Sequence, residues 1–355
     1  MSGNGANGSG NGAAAPGDGK ALPMLAKGDF QSDQETRWCP GCGDYAILAS
    51  VQGLMPELGI APEKTVFVSG IGCAGRFVYY MDTYGMHGIH GRAPAIATGI
   101  ATSREDLSVW VITGDGDSLS IGGNHLIHAL RRNVRLKILL FNNQIYGLTK
   151  GQYSPTSEKG KVTKSTPFGS EDPPFNPLAL ALGAEASFVA RSVDVEKKHL
   201  SETLRAAAEH EGAAFVEIYQ NCNVFNDGAF DAVRGKGGKP NQIRLEHGEP
   251  IRFGAENEKG VVRAPDGSLT VADIGEVGES ALVVHNAHLE NQSHAAALAR
   301  LSQRPNGPTP IGVLRSVQRP VYGQSLQREL SDAHDGAALG DVDELLRAGD
   351  TWTVE

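Results

Sequence analysis

Basic charge is in short supply: 32 Lys and Arg stand against 41 Asp and Glu, a formal net charge of −9. The positive footprint of a nucleic-acid binder is therefore missing. Long apolar runs are missing too. The strongest, residues 136–141 and 281–284, are strand-length and fall well short of the roughly twenty apolar residues that cross a bilayer. A soluble, cytoplasmic protein without a membrane partner is expected. Cysteine is scarce, since Cys39, Cys42, Cys73 and Cys222 are the four in 355 residues, too few for a disulfide scaffold. Residues 1–28 have neither the basic start nor the apolar stretch of a secretory signal. Rich in Gly, Asn and Ala, they read as a mobile tail.

What is present is an ordinary globular balance, 40% hydrophobic and 21% charged. Apolar runs at residues 65–69, 109–112, 136–141 and 215–219 are β-branched or aromatic and mostly lack polar alternation. Strands buried on both faces have that pattern. Helical segments fall between them at residues 95–102, 123–132 and 195–209, and a further helix is expected over 44–54 with Asp44 as its N-cap. Alternating strands and helices predict an α/β fold, a doubly wound and largely parallel sheet, whose sites lie beyond the strands' carboxyl ends. The partition expected is a tail over 1–28, the α/β domain over 29–235 and a small C-terminal extension over 236–355. That extension has a strand signal at 281–285 and a helix at 294–301. Residues 154–177, rich in Ser, Thr, Lys and Pro, are long for a loop and read as functional or mobile.

Gly114-Asp115-Gly116-Asp117 directly follows one of these strands, and Asn142-Asn143 directly follows the next. A diphosphate on a hard divalent ion needs oxygen ligands and closely approaching backbone amides. Asp115 and the Asn143 amide supply the first, and Gly114 and Gly116 permit the second. The spacing of 28 from Asp115 to Asn143 accommodates one helical crossover, which sets the two strand ends side by side. Taken singly, each motif reads as a turn or loop. Together they resemble the Gly-Asp-Gly…Asn-Asn signature of thiamine-diphosphate enzymes, which implies Mg²⁺ held by Asp115, Asn143 and the carbonyl of Ile145.

The thiols give a second signal. A single Cys-x-x-Cys pair fits structural zinc or an iron–sulfur cluster equally. Cys73 and Cys222, isolated and each beside a strand end, are placed unlike the paired ligands of a zinc ribbon. Trp38-Cys-Pro-Gly-Cys-Gly43, Gly70-Ile-Gly-Cys-Ala-Gly-Arg76 and Cys222 together resemble the β subunits of 2-oxoacid:ferredoxin oxidoreductases, over about residues 30–230. The resemblance implies thiamine diphosphate, Mg²⁺ and one [4Fe–4S] cluster on Cys39, Cys42, Cys73 and Cys222. It also implies cofactor contacts from Ile71, Gly72, Cys73, Ala74, Gly114, Gly116, Asp117, Gly147 and Leu148, and from His90, which in the family lies against the diphosphate. Gly70 to Gly75 also fits a dinucleotide fingerprint, but no helix-then-strand ending in an acidic ribose ligand follows. His125 and His128 read as ordinary residues of a crossover helix.

The activity implied is oxidative decarboxylation of a 2-oxoacid. The thiamine ylid takes up the electron pair released with carbon dioxide, electrons pass singly through the cluster to ferredoxin, and the acyl group goes to coenzyme A. In the family the loop of residues 142–152 contacts substrate. Its Lys150 reads either as the partner of the distal carboxylate of 2-oxoglutarate, a group that pyruvate lacks, or as a solvated loop lysine; 2-oxoglutarate is the expected substrate and pyruvate or a broader range the alternative. The family's assembly is an α₂β₂ heterotetramer whose α subunit brings the activating glutamate. Arg234, Lys236 and Lys239 offer a basic patch for an acidic ferredoxin or a solvated linker. The competing readings are a non-oxidative thiamine enzyme with structural zinc and a metal-binding subunit without turnover.

Overall fold

The computed structural model describes residues 25–302, 307–336 and 342–353. The expected tail lies outside the described residues up to residue 24. Eleven strands are seen among the described residues: β1 (Thr65–Ser69), β2 (Tyr84–His87), β3 (Ser108–Gly114), β4 (Lys137–Asn142), β5 (Phe188–Val193), β6 (Ala214–Tyr219), β7 (Gln242–Leu245), β8 (Arg252–Phe253), β9 (Lys259–Arg263), β10 (Leu269–Asp273) and β11 (Thr309–Ser316). Eight form one sheet in the order β2-β1-β3-β4-β6-β5-β11-β7, and β8 to β10 form a small antiparallel sheet. All pairings in the large sheet are parallel except β11 with β5. The expected doubly wound, largely parallel sheet is thus observed.

The central strands divide their residues between two cores by simple alternation. Val109, Val111, Ile138 and Leu140 face one core, and Trp110, Ile112, Leu139 and Phe141 face the other. Helix α1 (Asp44–Leu58) precedes the first strand, and α2 (Ala93–Ser103), α3 (Asp115–Leu119), α4 (Gly123–Arg131), α5 (Pro177–Gly183) and α6 (Lys197–Glu209) lie between strands. Helix α1 starts one residue earlier than a cap at Asp44 requires. Gly43 is the N-cap, and Asp44 is the first helical residue, with no side-chain cap bond made.

Strand β5 breaks the apolar pattern because it carries Arg191. That side chain is 1% exposed and pairs at 2.7 Å with Glu217, itself 1% exposed, directly opposite on β6. Asn142 donates to the other Glu217 oxygen at 2.7 Å. The chain beyond residue 235 supplies β7 and β11 to the large sheet. The apolar run at 281–285 forms no regular strand; it makes isolated bridges from Leu282 to Val262 and from Val284 to Pro250.

Sheet order positions everything that follows. Strands β1, β3, β4 and β6 are consecutive neighbours and parallel, so their carboxyl ends line one edge. The loops leaving that edge carry Gly70 to Cys73, Asp115, Asn143 and Cys222 in turn.

Candidate functional site

A cavity of about 140 Å³ opens at this edge, lined among others by Ile71, Gly72, Cys73, Ala74, His90, Gly114, Asp115, Gly116, Asp117, Asn143, Ile145, Gly147 and Leu148. The structure therefore gathers around one cavity the residues assigned from sequence to thiamine and Mg²⁺. Lys150 is the exception: it is exposed and lines neither this cavity nor the one adjoining it. It sits at the tip of a tight loop in which Gly151 donates to the Tyr146 carbonyl and Lys150 to that of Gly147. Its backbone takes φ +79°, a left-handed conformation that is costly for a side chain with Cβ.

Asp115 is 2% exposed. One carboxylate oxygen accepts from the hydroxyls of Ser154 and Thr156, the latter at 2.6 Å. Burial pushes the carboxyl up to about 6, and these hydroxyls together with backbone amides oppose the shift. A carboxylate bonded on one oxygen and facing a cavity is oriented to give its other oxygen to a cation. Thr156 also bonds Asn142 at 2.9 Å, so the Ser154–Ser157 turn ties the two thiamine elements together. Asn143 caps its own loop, its amide oxygen accepting from Ile145 N–H at 3.1 Å. Gly116 is required by packing, since a Cβ there would lie 2.1 Å from the Tyr146 ring. The Tyr146 hydroxyl donates to the Gly116 carbonyl.

Asp117 has a different task. Its carboxylate accepts from Ile71 N–H at 3.0 Å, Gly91 N–H at 2.7 Å and the Thr113 hydroxyl at 2.7 Å, and it meets His90 Nδ1 at 2.6 Å. It thus pins the loops after β1 and β2 to the end of β3. His90 is fixed by that pair with its ring partly exposed at the cavity.

The thiols stand behind the same cavity. A Cβ on Gly147 would lie 3.5 Å from Cys222 Sγ and 3.6 Å from Cys73 Sγ, and Gly147 and Cys73 both line the cavity, so the thiols adjoin it directly. Cys42 lies within electrostatic reach of Cys73 and Cys222, and Cys73 within reach of Cys39. Burial first, then the nearby Asp44 carboxylate, pushes Cys73 up to about 12 and raises Cys42 further. Such thiols are poor nucleophiles and become thiolates only when a cation compensates them. Among the described residues no three His, Cys, Asp or Glu converge on a single-ion site; Cys39 is exposed, and the other three thiols are half-buried.

The loops holding them are cross-braced. Gly43 N–H donates to the Asn221 carbonyl, Asn223 donates to the Pro40 carbonyl at 2.6 Å, Trp38 Nε1 donates to the Cys73 carbonyl at 2.8 Å, and Gln220 donates to Cys42 Sγ at 3.3 Å. Asn226, bridged to Cys222, donates to the Asn143 carbonyl at 2.9 Å, coupling thiol and magnesium loops. Asp44 is buried at 1% exposure and lines the cavity. No N–H or O–H of the described residues donates to its carboxyl oxygens; the Cys42 thiol is the group against it, and burial pushes the carboxyl up to about 7.

Comparison with known proteins decides the matter. Residues 70–218 match the model of the thiamine pyrophosphate enzyme C-terminal TPP-binding domain. The 2-oxoglutarate oxidoreductase subunit KorB of Mycobacterium tuberculosis is 58% identical over 92% of this chain and 88% of its own length. The chain belongs to the 2-oxoacid:ferredoxin oxidoreductase β subunits. The 2-oxoacid:ferredoxin oxidoreductase 1 subunit beta of Aeropyrum pernix is 43% identical over 58% of this chain and 65% of its own. The solved 2-oxoglutarate:ferredoxin oxidoreductase from Magnetococcus marinus, with 2-oxoglutarate, coenzyme A and succinyl-CoA bound, superposes with a TM-score of 0.74 at 34% identity, covering 93% of this chain and 98% of that one.

Within this family member, sequence reading overlooked several residues of the site. Ser154 and Thr156 were seen only as part of a polar loop. A second cavity of about 400 Å³ shares Ile71, Gly72 and Leu148 with the first and adds Arg37, Arg76 and His87. Arg76 was quoted only as the end of the Cys73 motif. In the basic patch, Arg234 is committed to Asp194 through bonds of 2.9 and 3.1 Å, leaving Lys236 and Lys239 exposed. No helix of the described residues is long and apolar enough to cross a membrane.

Proposed function

We propose that this chain is the β subunit of a 2-oxoglutarate:ferredoxin oxidoreductase and carries thiamine diphosphate, Mg²⁺ and one [4Fe–4S] cluster. The net reaction converts 2-oxoglutarate, coenzyme A and two oxidised ferredoxins to succinyl-CoA, carbon dioxide, two reduced ferredoxins and a proton. The observation that carries the reading is the meeting of the two elements at one cavity: Asp115, Asn143 and Cys73 line it together, and a Cβ on its Gly147 would lie 3.5 Å from Cys222 Sγ. Organic cofactor and electron acceptor would then lie close enough for direct transfer.

In this reading Asp115, Asn143 and the Ile145 carbonyl hold the Mg²⁺ of the diphosphate, and His90 lies against the phosphates. Ile71, Gly72, Ala74, Gly114, Gly116 and Leu148 shape the cavity, and Asp117 holds its loops in register. The cofactor supplies the ylid that accepts the electron pair left by decarboxylation. Cys39, Cys42, Cys73 and Cys222 hold the cluster. Lys150, on the loop whose Leu148 faces both cavities, meets the distal carboxylate of the substrate.

Membership in a multi-subunit enzyme implies an α partner. The exposed apolar residues Tyr79, Tyr84, Met86, Ile89 and Ile121, on segments flanking the cavity, suit burial against it. The partner would bring the glutamate that activates the cofactor, and α₂β₂ is the assembly we expect, in the cytoplasm. Lys236 and Lys239 remain available to an acidic ferredoxin.

The test is anaerobic co-purification with the α chain. Iron and sulfide at four each per β chain are expected, with ferredoxin reduction that requires both 2-oxoglutarate and coenzyme A. Material that lacks iron and sulfide, or that releases carbon dioxide without reducing ferredoxin, would overturn the proposal.

A further inference from the structure

Gln220 stands at the end of β6, 1% exposed, where its backbone N–H extends the ladder to the Asn142 carbonyl. Its side-chain amide can be read in only one orientation. Nε2 lies 2.6 Å from the Asn221 carbonyl, an acceptor that a carbonyl oxygen in the same place would repel, so the nitrogen must point there. The second N–H of the same nitrogen then reaches Cys42 Sγ at 3.3 Å. Oε1 is left buried without a partner among the described residues. Room for the side chain comes from Gly43, where a Cβ would lie 3.0 Å from Gln220 Cγ and 2.1 Å from Asp194 Oδ2. An amide held this firmly, with its own oxygen unsatisfied, is placed for what its nitrogen donates.

We propose that Gln220 is a positioning residue that raises the reduction potential of the iron–sulfur centre through an N–H···S bond to the Cys42 thiolate. The inference rests on the proposed cluster. An added electron puts more negative charge on the cysteine sulfurs, and a fixed donor stabilises that charge more in the reduced than in the oxidised state. Gln220 thereby favours one-electron uptake from the cofactor side without touching substrate.

The experiment is a potentiometric titration of the α–β enzyme followed by the EPR signal of the reduced cluster, comparing wild type with Gln220→Leu and Gln220→Glu. Loss of the donor should move the midpoint to more negative potential by about 59 mV, a tenfold change in a one-electron equilibrium. Gln220→Glu, which adds charge, should move it at least as far. An intact cluster whose potential is unchanged in Gln220→Leu overturns the inference. Should either variant fail to retain its cluster, ENDOR on wild-type enzyme with ¹⁵N-labelled glutamine side chains decides. A nitrogen coupling at the reduced cluster supports the bond, and its absence overturns it. If wild type itself shows no iron–sulfur signal, the underlying reading fails instead.

Discussion

The two halves of the site edge are finished to different degrees. On the magnesium side, the buried carboxylates hold strong donors, Asp115 on one oxygen from Ser154 and Thr156 and Asp117 from two backbone amides, a hydroxyl and His90, and Ser118 Oγ is the buried polar atom there without a partner among the described residues. On the thiol side, Oε1 of Gln220 and Oδ1 of Asn223 are buried without partners among the described residues, and Asp44 has only the Cys42 thiol against its carboxyl. A buried polar atom left unsatisfied costs about 1–3 kcal/mol. The magnesium half is built in advance of its ligand. The other half needs its ligand to be well folded.

The sharpest way to break that contrast is to remove iron. After anaerobic chelation, activity should be lost completely. Amide hydrogen exchange should accelerate at residues 39–44 and 220–226, while 113–119 and 140–145 keep their protection. Equal opening of both halves would show that the contrast has no energetic meaning.

The next largest effect is expected from the magnesium half. Asp115→Asn keeps the shape but loses the charge, and should weaken Mg²⁺-dependent cofactor binding by at least about 100-fold, with iron content unchanged. Titration calorimetry of Mg²⁺ and thiamine diphosphate reads this directly. A normal affinity would remove Asp115 from the metal site.

Thr156→Val tests the same half one bond further out. The hydroxyl that orients Asp115 is removed at nearly constant volume, and a loss of about 10–100-fold in Mg²⁺ affinity is expected. Thr156→Ser, which restores the hydroxyl, should recover most of it. If both variants bind alike, the hydroxyl is idle and the loop matters only for packing.

That Asp115 would face a cation was legible in the sequence, and that Thr156 would hold it was not. Gly114 to Asp117 and Asn142-Asn143 are contiguous motifs at the ends of uninterrupted apolar strands, so strand, turn and ligand are read together. Thr156 and Ser154 act on a residue about forty positions upstream, and only the adjacency of β3 and β4 brings them there. Gln220 escaped notice for the same reason, because its partner Cys42 comes from the segment before α1. Strand β5 was missed because Arg191 interrupts its apolar run, and only the Glu217 facing it makes that residue tolerable in a core. Strand β2 was missed because all four of its residues are exposed, so no buried pattern marks it. Asp44 has the chemistry of a cap but is consumed by the cavity.

Lys150 belongs to neither half, and the smallest effect is expected there. Its side chain is solvated in this structure, so a contact with the distal carboxylate of 2-oxoglutarate would lie at the weak end of charge-assisted bonds, about 1.5 kcal/mol or roughly tenfold in KM. The left-handed backbone at this position is strained by the Cβ of lysine and alanine alike, so Lys150→Ala removes the charge and leaves the strain as it is. Lys150→Gly relieves that strain, and Lys150→Gln keeps the length while removing the charge. A rise in KM for 2-oxoglutarate with little change for pyruvate, equal in all three variants, assigns the effect to the charge. A rise confined to the glycine variant, or equal for both substrates, assigns it to the loop and leaves Arg76, in the adjoining cavity, as the cation to test for substrate choice.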